Sequence, residues 1–513
     1  MRKYLNRTFI LLSVFTFAEY IINFARSVVI AGIFGVSVQT EAFFLAYSLL
    51  LMIVLLLGSL IKTTVIPTFF KARSESGREV AWDFVFNFLN IVFLGLFCII
   101  FLIIIFSPRF VPLLIGSYPA DIKLLAIRYM KVLSLVILFS GSSYLFTGIL
   151  NAKKIFALPA FSNLIGSALF ILIILGFHKV FGIEVMLYAV LLGSLVPFIV
   201  QFIKMLKVSR VKYFLRFNLR DRRVREILQL MAPSLYAICL YQIFKCFESY
   251  LAAKSFAGSI SILNYARVIS EIPTRFFYGI IITIFFPFVS ESFAELKIGA
   301  INHHMQRLMR LILLFGVPVT ILFFFLSAPI IQILFQRGKF SALDTLHTAR
   351  TLSFFSIGIT ALLFSSLLTH IYCAMRDTRT LAVIAVFSVI VNVLLDLVLV
   401  KTMSYWGLAL GYSLATVFSC TALLYLLPRK LKGISFDSVI DISPQLIISG
   451  AVMAVFVSLI AKTNWISGNI FWIAAFKVIV ITVSSVSIYL AALLFLNVNE
   501  AKGLYLLARN KMR

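Results

Sequence analysis

The sequence predicts an all-α polytopic membrane protein whose fourteen transmembrane helices form two pseudo-symmetric six-helix lobes and a C-terminal pair. Of its 513 residues, 62% are hydrophobic and only 13% are charged, a balance that soluble globular proteins of this size do not have. Apolar stretches of about 20 residues, the length that crosses a bilayer, follow one another along the chain. Segments of the first half also return in the second half, which indicates an internal repeat.

Windows of about 20 apolar residues place fourteen spans along the chain. The predicted spans cover residues 8–35, 40–69, 83–106, 124–152, 156–177, 183–206, 225–253, 259–289, 308–334, 343–372, 380–400, 405–428, 443–462 and 470–497. With the N-terminus inside, most lysines and arginines fall in cytoplasmic segments, and a shift by one span would reverse this asymmetry. We therefore expect a multi-pass protein of the bacterial inner (plasma) membrane with both termini in the cytoplasm.

The net charge of +27 is densest between spans 6 and 7. The basic residues of this segment are Lys204, Lys207, Arg210, Lys212, Arg216, Arg220, Arg222, Arg223 and Arg225. Such a run fits the cytoplasmic side of a membrane protein and attracts the anionic headgroups of membrane lipids. No soluble domain accompanies it, so no nucleic-acid partner is expected.

Two pairs of similar segments support the arrangement in two lobes. The end of span 2 at 63–67 resembles the end of span 8 at 283–287, and the turn at 151–154 resembles the turn at 377–380. Both pairs are offset by about 220 residues and an even number of spans, so the repeats run parallel about an axis normal to the membrane. We predict an N-lobe with the basic loop, a C-lobe, and a last pair of spans with the tail, at residues 1–223, 224–432 and 433–513. The substrate cavity is expected between the lobes.

Span 1 contains three polar residues at helical spacing, Glu19, Asn23 and Arg26. The spacing puts all three on one face of a helix. A charge at bilayer depth costs between roughly 3 and 10 kcal/mol unless it faces partners or water. The pattern therefore predicts a helix that lines a wet, charged cavity.

Span 8 carries Arg267, Glu271 and Arg275 four residues apart, with Pro273 among them. Alternatively, the three side chains form a structural ladder, a row of ion pairs along the helix that neutralise one another and bind no substrate. The ladder keeps one excess positive charge, however, and Pro273 frees a backbone carbonyl, and both facts favour a helix that faces water. With Arg26, the cavity would be cationic and suited to phosphate or pyrophosphate, since arginine binds such groups through two parallel hydrogen bonds.

Span 2 contains two further charged residues, Glu41 at its outer start and Lys62 in its inner half. Glu41 is either a helix-start residue that water solvates or part of an outer gate. Lys62 either extends to the cytoplasmic interface or adds a positive charge to the cavity.

A cation site is a further hypothesis for the C-lobe. Asn392 and Asp396 lie one turn apart in span 11, and Glu248 lies in span 7. Their oxygens could bind Na⁺ or exchange a proton, whereas Lys245, three residues before Glu248, is a competing internal partner. The sequence contains no nucleotide-binding loop or catalytic motif, so we expect a transporter rather than an enzyme, without a cofactor other than a coupling Na⁺ or H⁺.

Several stretches resemble the MurJ/MviN family of lipid II flippases, within the multidrug/oligosaccharidyl-lipid/polysaccharide exporter superfamily. The most specific is the run from Leu334 to Asp344 before span 10. The others are 23–26, 40–44, 265–273 and 372–380, in the family's order. The resemblance implies alternating-access flipping of an undecaprenyl-pyrophosphate-linked peptidoglycan precursor, lipid II, from the cytoplasmic to the outer leaflet. It also implies a groove for the lipid tail at spans 13 and 14, and other cell-wall synthesis proteins as partners.

The resemblance carries over to single positions only in part. It implies that Arg26, Arg267 and Glu271 are substrate-site residues and that Glu41 is the acidic residue that opens span 2. Tyr20 and Ser27 stand where the family has a further arginine and an acid, and the family's span-2 charges fall on the apolar stretch Val54–Leu60, where Lys62 is the nearest replacement. For the cation site, the resemblance points to Glu248, Asn392 and Asp396, with Tyr412 in place of a small hydroxyl residue.

Three alternatives to lipid II flipping follow from these departures. The first is a flippase for another lipid-linked oligosaccharide. The second is a drug/cation antiporter of the same superfamily, which would need net acidic charge in its cavity. The third is a non-transporting paralogue that acts as a membrane scaffold.

Overall fold

The computed structural model describes most of the chain and divides it into two compact units. The described residues are 2–115, 118–209, 213–215, 217–218, 220–280, 298–375, 377–431, 435–462 and 471–502. Within them, segments 2–13, 56–57, 59–67, 71–72, 76, 228–243, 278–280, 298, 300–301, 438, 462 and 471 are described by backbone alone. Unit 1 comprises Met1–Ser261 and unit 2 comprises Ile262–Arg513. The predicted lobes at 1–223 and 224–432 and the C-terminal part at 433–513 stay a prediction.

Unit 1 is built from helices α1 to α7 and the first residues of α8. They are α1 Arg2–Phe34, α2 Val38–Leu114, α3 Ala120–Leu133, α4 Leu135–Ala152, α5 Ala157–Phe181, α6 Val185–Ser209, α7 Arg222–Ser255 and α8 Ser259–Ile280. A short 3-10 turn at Gly182–Glu184 joins α5 to α6. Unit 2 continues from Ile262 in α8.

The helices that follow α8 all belong to unit 2. They are α9 Ile298–Phe325, α10 Ser327–Phe335, α11 Ala342–Ser356, α12 Ile359–Ala374, α13 Thr378–Met403, α14 Tyr405–Lys430, α15 Asp437–Lys462 and α16 Phe471–Phe495. The described residues contain no β-strand, so the predicted all-helical class is confirmed for them.

Nine helices of the described residues are long and apolar enough to cross a membrane, or ten if a bent pair is one span. The bent pair is α11 and α12, which meet at an angle of 47°. The chain is therefore a multi-pass membrane protein, whereas the number fourteen stays a prediction. Three of the predicted spans, 124–152, 308–334 and 343–372, are interrupted in the structure, at Ser134, Leu326 and Ile357–Gly358 respectively.

Helix α2 continues through the polar stretch between the predicted spans 40–69 and 83–106, where a loop would be expected. Residues 38–114 form one helix that only Gly77 interrupts, with φ 86° and ψ −178°. The intervening segment is polar but rich in Ala, Arg and Glu, which favour helix. Low hydropathy shows that a segment leaves the bilayer and does not show that its helix ends.

The core of unit 1 is a cluster of aromatic and aliphatic side chains from α2, α4, α6 and α7, centred on the fully buried Trp82 and Phe146. The segment between α6 and α7 is fixed to this core. The side chain of Asn87 in α2 donates to the carbonyl oxygen of Asn218 at 3.0 Å and accepts from its amide at 2.7 Å. The described part of the basic segment therefore lies against α2.

Helices α5 and α6 cross at two glycines, Gly166 and Gly193. A Cβ atom on Gly166 would lie 2.3 Å from the carbonyl oxygen of Gly193, a distance no real Cβ adopts. Only glycine permits this approach of the two backbones. The crossing forms one wall of the cavity described below.

Two apolar clusters form the core of unit 2. One joins α9, α12, α13 and α14 around Leu363 and Leu367, and the other joins α9, α10, α15 and α16 around Leu326 and Met453. The last two helices are therefore packed onto the rest of unit 2 through α9 and α10.

Candidate functional site

A polar cavity of about 350 Å³ lies inside unit 1, among α1, α2, α4, α5 and α6. The three residues predicted to share a face of α1, Glu19, Asn23 and Arg26, all line it. The opposite walls supply hydroxyl and amide groups. They include Ser140, Ser143, Thr147, Asn163, Ser167 and Ser194. We call this the unit 1 cavity.

Arg26 is stabilised in the unit 1 cavity by aromatic rings. Its guanidinium carbon lies 3.6 Å from the centre of the Phe170 ring and 5.1 Å from that of Tyr47. Among the described residues its side chain has no hydrogen bond or ion pair. Since a ring face attracts a cation without neutralising it, the positive charge of Arg26 remains available to an anion.

The two other polar residues of α1 differ in their contacts. The Ser167 hydroxyl donates to the Asn23 side-chain oxygen at 3.3 Å, which connects α1 to α5. Glu19, which is partly buried, has neither a hydrogen bond nor an ion pair with any described residue. The cavity thus contains a carboxylate and a guanidinium on one helix that do not pair.

Glu41 is fully buried in the first turn of α2, so solvation by water does not account for it. Its carboxylate accepts a hydrogen bond from the Tyr118 hydroxyl at 2.5 Å and one from the amide of Ile260 at 2.7 Å. The backbone of Gly258 and Ser261 contributes further hydrogen bonds. Residues 258–261 are the beginning of α8, where free amides and the helix dipole stabilise an anion.

Tyr118 keeps its proton in this contact. Burial and the neighbouring Glu41 both raise the pKa of the Tyr118 hydroxyl above its usual value. It therefore remains a hydrogen-bond donor to the carboxylate at any physiological pH.

In unit 2, Arg267 of α8 is also stacked on aromatic rings. Its guanidinium carbon lies 5.2 Å from the ring centres of both Phe355 in α11 and Tyr412 in α14. The two rings meet edge to face at 5.7 Å. Tyr412, where the resemblance leads one to expect a small hydroxyl residue, thus provides a ring surface for arginine.

The acid of the span-8 ladder pairs with Arg275, the second arginine of the ladder. Glu271 accepts from Arg275 at 2.7 Å, and the Arg275 side chain is 54% exposed. Glu271 and Arg275 therefore form an ion pair, as the ladder alternative predicts. Arg267 contacts the rings of Phe355 in α11 and Tyr412 in α14.

The three residues of the predicted cation site lie in different units. Glu248 belongs to unit 1, where Lys245 Nζ lies 2.6 Å from its carboxylate, the competing contact considered from the sequence. Asn392 and Asp396 belong to unit 2 and are almost completely buried in α13. With its amide nitrogen turned toward Asp396, Asn392 donates to both carboxylate oxygens at 3.2 Å. The three-residue site stays a prediction.

Asp396 packs against Gly411 of α14. A Cβ atom at position 411 would lie 2.2 Å from an Asp396 carboxylate oxygen, so the glycine makes room for the acid. Elsewhere in the described part of the chain, no group of three or more His, Cys, Asp or Glu side chains is placed to hold a metal ion. The side chain of Lys62 lies outside the described residues.

An apolar cavity of about 430 Å³ lies between α9 and α15 of unit 2. Its walls include Val317, Ile321, Leu446, Ile447 and Gly450. Helix α15 corresponds to the predicted span 13, where the resemblance implies a groove for the lipid tail.

Sequence reasoning missed the aromatic partners of both arginines and the partners of Glu41. Phe170 and Phe355 are apolar residues in apolar spans, and nothing in their spacing distinguishes them from side chains that face lipid. Tyr118 and Ile260 are 77 and 219 residues from Glu41 along the chain, beyond any local pattern.

Comparison with known proteins identifies the family. A family model described as Lipid II flippase MurJ matches residues 30–476. The chain belongs to this family. A probable lipid II flippase MurJ of Rickettsia prowazekii is 26% identical over 460 residues, which cover 89% of this chain and 90% of the relative. The lipid II flippase MurJ of Burkholderia cenocepacia is 26% identical over 443 residues, 84% of each chain.

Solved structures confirm the fold of the MurJ family. A lipid II flippase MurJ in an inward closed conformation covers 95% of this chain and 98% of its own, with TM-score 0.78 and 24% identity. An inward-facing multidrug resistance MATE family transporter of the MOP superfamily covers 81% of this chain and 96% of its own, with TM-score 0.67 and 17% identity. The family that the motifs predicted is therefore confirmed.

Proposed function

We propose that this protein is a lipid II flippase that moves the undecaprenyl-pyrophosphate-linked peptidoglycan precursor from the inner to the outer leaflet for cell-wall synthesis. Membership of the MurJ family and the names of its relatives support the assignment. Among the features of the molecule, one observation carries it. Arg26 is held in a polar cavity of a membrane-embedded unit by Phe170 and Tyr47, without an acid to neutralise it.

The arginines bind the pyrophosphate in this proposal. A stacked guanidinium keeps its charge and its planar set of N–H donors, which match the oxygens of a phosphate group. Arg26 of unit 1 and Arg267 of unit 2 each supply one such group, and Asn23 and Lys62 support binding. Glu271 positions arginine on α8, and Glu41 acts at the outer gate by holding the beginning of that helix.

The lipid tail needs an apolar surface in addition to the site for the headgroup. The cavity between α9 and α15 supports this part of the proposal, since its walls are almost entirely aliphatic. Helices α15 and α16 accommodate the tail, while the pyrophosphate crosses by alternating access of the two lobes. Coupling to Na⁺ or H⁺ through Glu248, Asn392 and Asp396 belongs to the same proposal.

The proposed function also implies a membrane location and partner proteins. The positive-inside distribution of Lys and Arg supports an inner-membrane protein with cytoplasmic termini. Other cell-wall synthesis proteins would supply or consume lipid II on the two sides.

Controlled depletion of the protein in its host, with a leaflet-specific assay of lipid II, tests the function. We expect externally accessible lipid II to fall and internal lipid II to accumulate, and re-expression to restore both. Accumulation of a different lipid-linked glycan, or drug sensitivity with unchanged lipid II, would overturn the assignment. A scaffold would alter neither the leaflet distribution nor drug efflux.

A further inference from the structure

Glu19 is a charged residue of the unit 1 cavity that the proposed function leaves without a partner. It is partly buried in a membrane-spanning helix and lines the cavity. No described residue forms a hydrogen bond or ion pair with its carboxylate. An anion at membrane depth is costly unless a positive group compensates it, and no described residue provides that group for Glu19.

Arg26 does not fill this role. It is seven residues away on α1, about 10 Å along the helix axis. Its guanidinium group instead lies against the ring of Phe170, at 3.6 Å. The two charges line the same cavity at different depths, so an additional cation near Glu19 is compatible with Arg26.

Two serine hydroxyl groups in the cavity wall have their protons engaged elsewhere. Ser143 donates to the carbonyl oxygen of Phe139 at 2.7 Å, and Ser194 donates to that of Leu191 at 2.9 Å. A hydroxyl has one proton and two lone pairs. These side chains therefore offer the cavity only oxygen acceptors.

The Thr147 hydroxyl also has its proton engaged outside the cavity, in a hydrogen bond to the buried side chain of Gln201. Gln201 is fully buried and donates through its amide nitrogen to the Ser162 hydroxyl at 3.0 Å, which fixes the orientation of the amide. Its carbonyl oxygen then faces Thr147 at 2.7 Å, so Thr147 must donate to it. The lone pairs of Thr147 remain for the cavity.

We propose that the unit 1 cavity binds a monovalent cation of the size of Na⁺, with Glu19 as its charged ligand and hydroxyl oxygens of α4 and α6 as neutral ligands. Oxygen ligands with one negative charge suit a hard monovalent ion. With Glu19 and Arg26 both charged, a divalent ion would give the cavity a net charge of about +2, whereas a monovalent ion gives about +1. An anion at this end would be repelled by the Glu19 carboxylate. The site is distinct from Glu248, Asn392 and Asp396, and its occupation does not depend on lipid II.

Thermal unfolding and ²²Na⁺ binding of the purified full-length protein in nanodiscs test this site. The protein is compared in NaCl, KCl and choline chloride at one ionic strength and pH, without lipid II. We expect Na⁺ to raise the melting temperature in a saturable way and Glu19→Gln to weaken Na⁺ binding at least about tenfold. The amide of that variant keeps the shape of the side chain and removes its charge.

The matched control is Asp83→Asn, which neutralises a half-buried acid of α2 that does not line the unit 1 cavity. It should keep the Na⁺-dependent shift. The proposal is overturned if the wild-type protein shows no Na⁺ shift, if Glu19→Gln retains all of it, or if Asp396→Asn alone abolishes it.

A second variant covers the case in which Glu19→Gln does not fold. Ser194→Ala removes one oxygen ligand and leaves the charges of the cavity intact. It should lower Na⁺ affinity without changing the melting temperature in choline chloride, and unchanged affinity would contradict the hydroxyl ligands. Because these measurements contain no lipid II, their failure would leave the flippase assignment untouched, and the reverse also holds.

Discussion

Units 1 and 2 each stabilise one arginine with aromatic rings. The two units differ in whether the acid on the same helix as that arginine forms an ion pair. In unit 1, Arg26 lies 3.6 Å from the Phe170 ring centre and shares its cavity with Glu19, which pairs with no described residue. In unit 2, the guanidinium carbon of Arg267 lies 5.2 Å from each of two ring centres, and Glu271 on the same helix is paired with Arg275. Ring faces thus hold the Arg26 guanidinium group in the membrane without cancelling its charge. Unit 1 in addition keeps a carboxylate available for a second ligand.

Replacing the two arginines one at a time would give the largest effects. We expect Arg26→Ala and Arg267→Ala to reduce lipid II flipping on the order of a hundredfold, because each loses a charge-assisted pair of hydrogen bonds. Lysine at either position should restore activity only in part, since it keeps the charge and loses the planar donors. The measurement is leaflet-specific lipid II after complementation, with membrane levels of each variant as control. A fully active, normally expressed alanine variant would remove that arginine from the site.

Three glycine substitutions compare how tightly the two units are packed. Gly166→Ala should lower the free energy of unfolding by about 1–3 kcal/mol, because its methyl group meets backbone at 2.3 Å. Gly411→Ala should cost less, because the group it meets at 2.2 Å is the Asp396 side chain, which can turn away. A methyl group added at Gly176 in α5 would meet no atom within 4 Å, so Gly176→Ala is the matched control and should be neutral or stabilising. Thermal unfolding in one detergent ranks the three, and a cost at Gly411 above that at Gly166 would contradict the comparison.

The turns before α5 and α13, which resemble each other in sequence, differ in capping, and this difference gives the smallest effect. Asp377 caps α13 by accepting from the amide of Thr380 at 3.1 Å, whereas α5 has no side-chain cap. Hydrogen bonds from Thr380 lower the pKa of the Asp377 carboxyl, so its stabilising contribution is present above the unfolded-state pKa and lost as pH falls through the folded-state value. We expect Asp377→Ala to cost about 1 kcal/mol at neutral pH. The difference from wild type should begin to shrink below about pH 4 and disappear once the pH has fallen below the lowered pKa of Asp377.

The control for this variant is Asp377→Asn, which keeps a capping oxygen without a titrating group. It should retain most of the stability at neutral pH and lose the acid dependence. Urea unfolding across pH measures both. An alanine variant that remained less stable than wild type by the same amount at low pH would show that the charge of Asp377 is irrelevant.

The sequence predicted what depends on local periodicity and missed what depends on distant contacts. The 3.6-residue period placed Glu19, Asn23 and Arg26 on one face, and the structure brings all three into one cavity. Hydropathy located the helices but not their interruptions at Ser134, Leu326 and 357–358, because the sequence stays apolar through each of them.

Partners three or four residues away, as in the pairs Lys245–Glu248 and Glu271–Arg275, could be considered from the sequence, whereas distant partners could not. From the sequence, Glu41 was either a helix-start residue solvated by water or part of an outer gate. In the structure it is buried against Tyr118 and the beginning of α8. Likewise, Phe170 and Phe355 carry no sequence signal that assigns them to an arginine. A pattern reveals that a charge requires compensation, whereas the fold decides which group provides it.

Gly77 makes the joint between the two arms of α2 sensitive to chain length. The arms, 38–76 and 78–114, are connected by the φ and ψ of this residue alone, with no loop to absorb a change. One residue inserted in either arm beside it would turn the other arm by about 100° about its axis and move every side chain to a new face. The neighbouring side chains at 73–75 and 78–80 are exposed, although Arg78 donates to the carbonyl oxygen of Ser209 at 3.1 Å. Over evolution, this connection therefore fixes the number of its residues more strictly than their type.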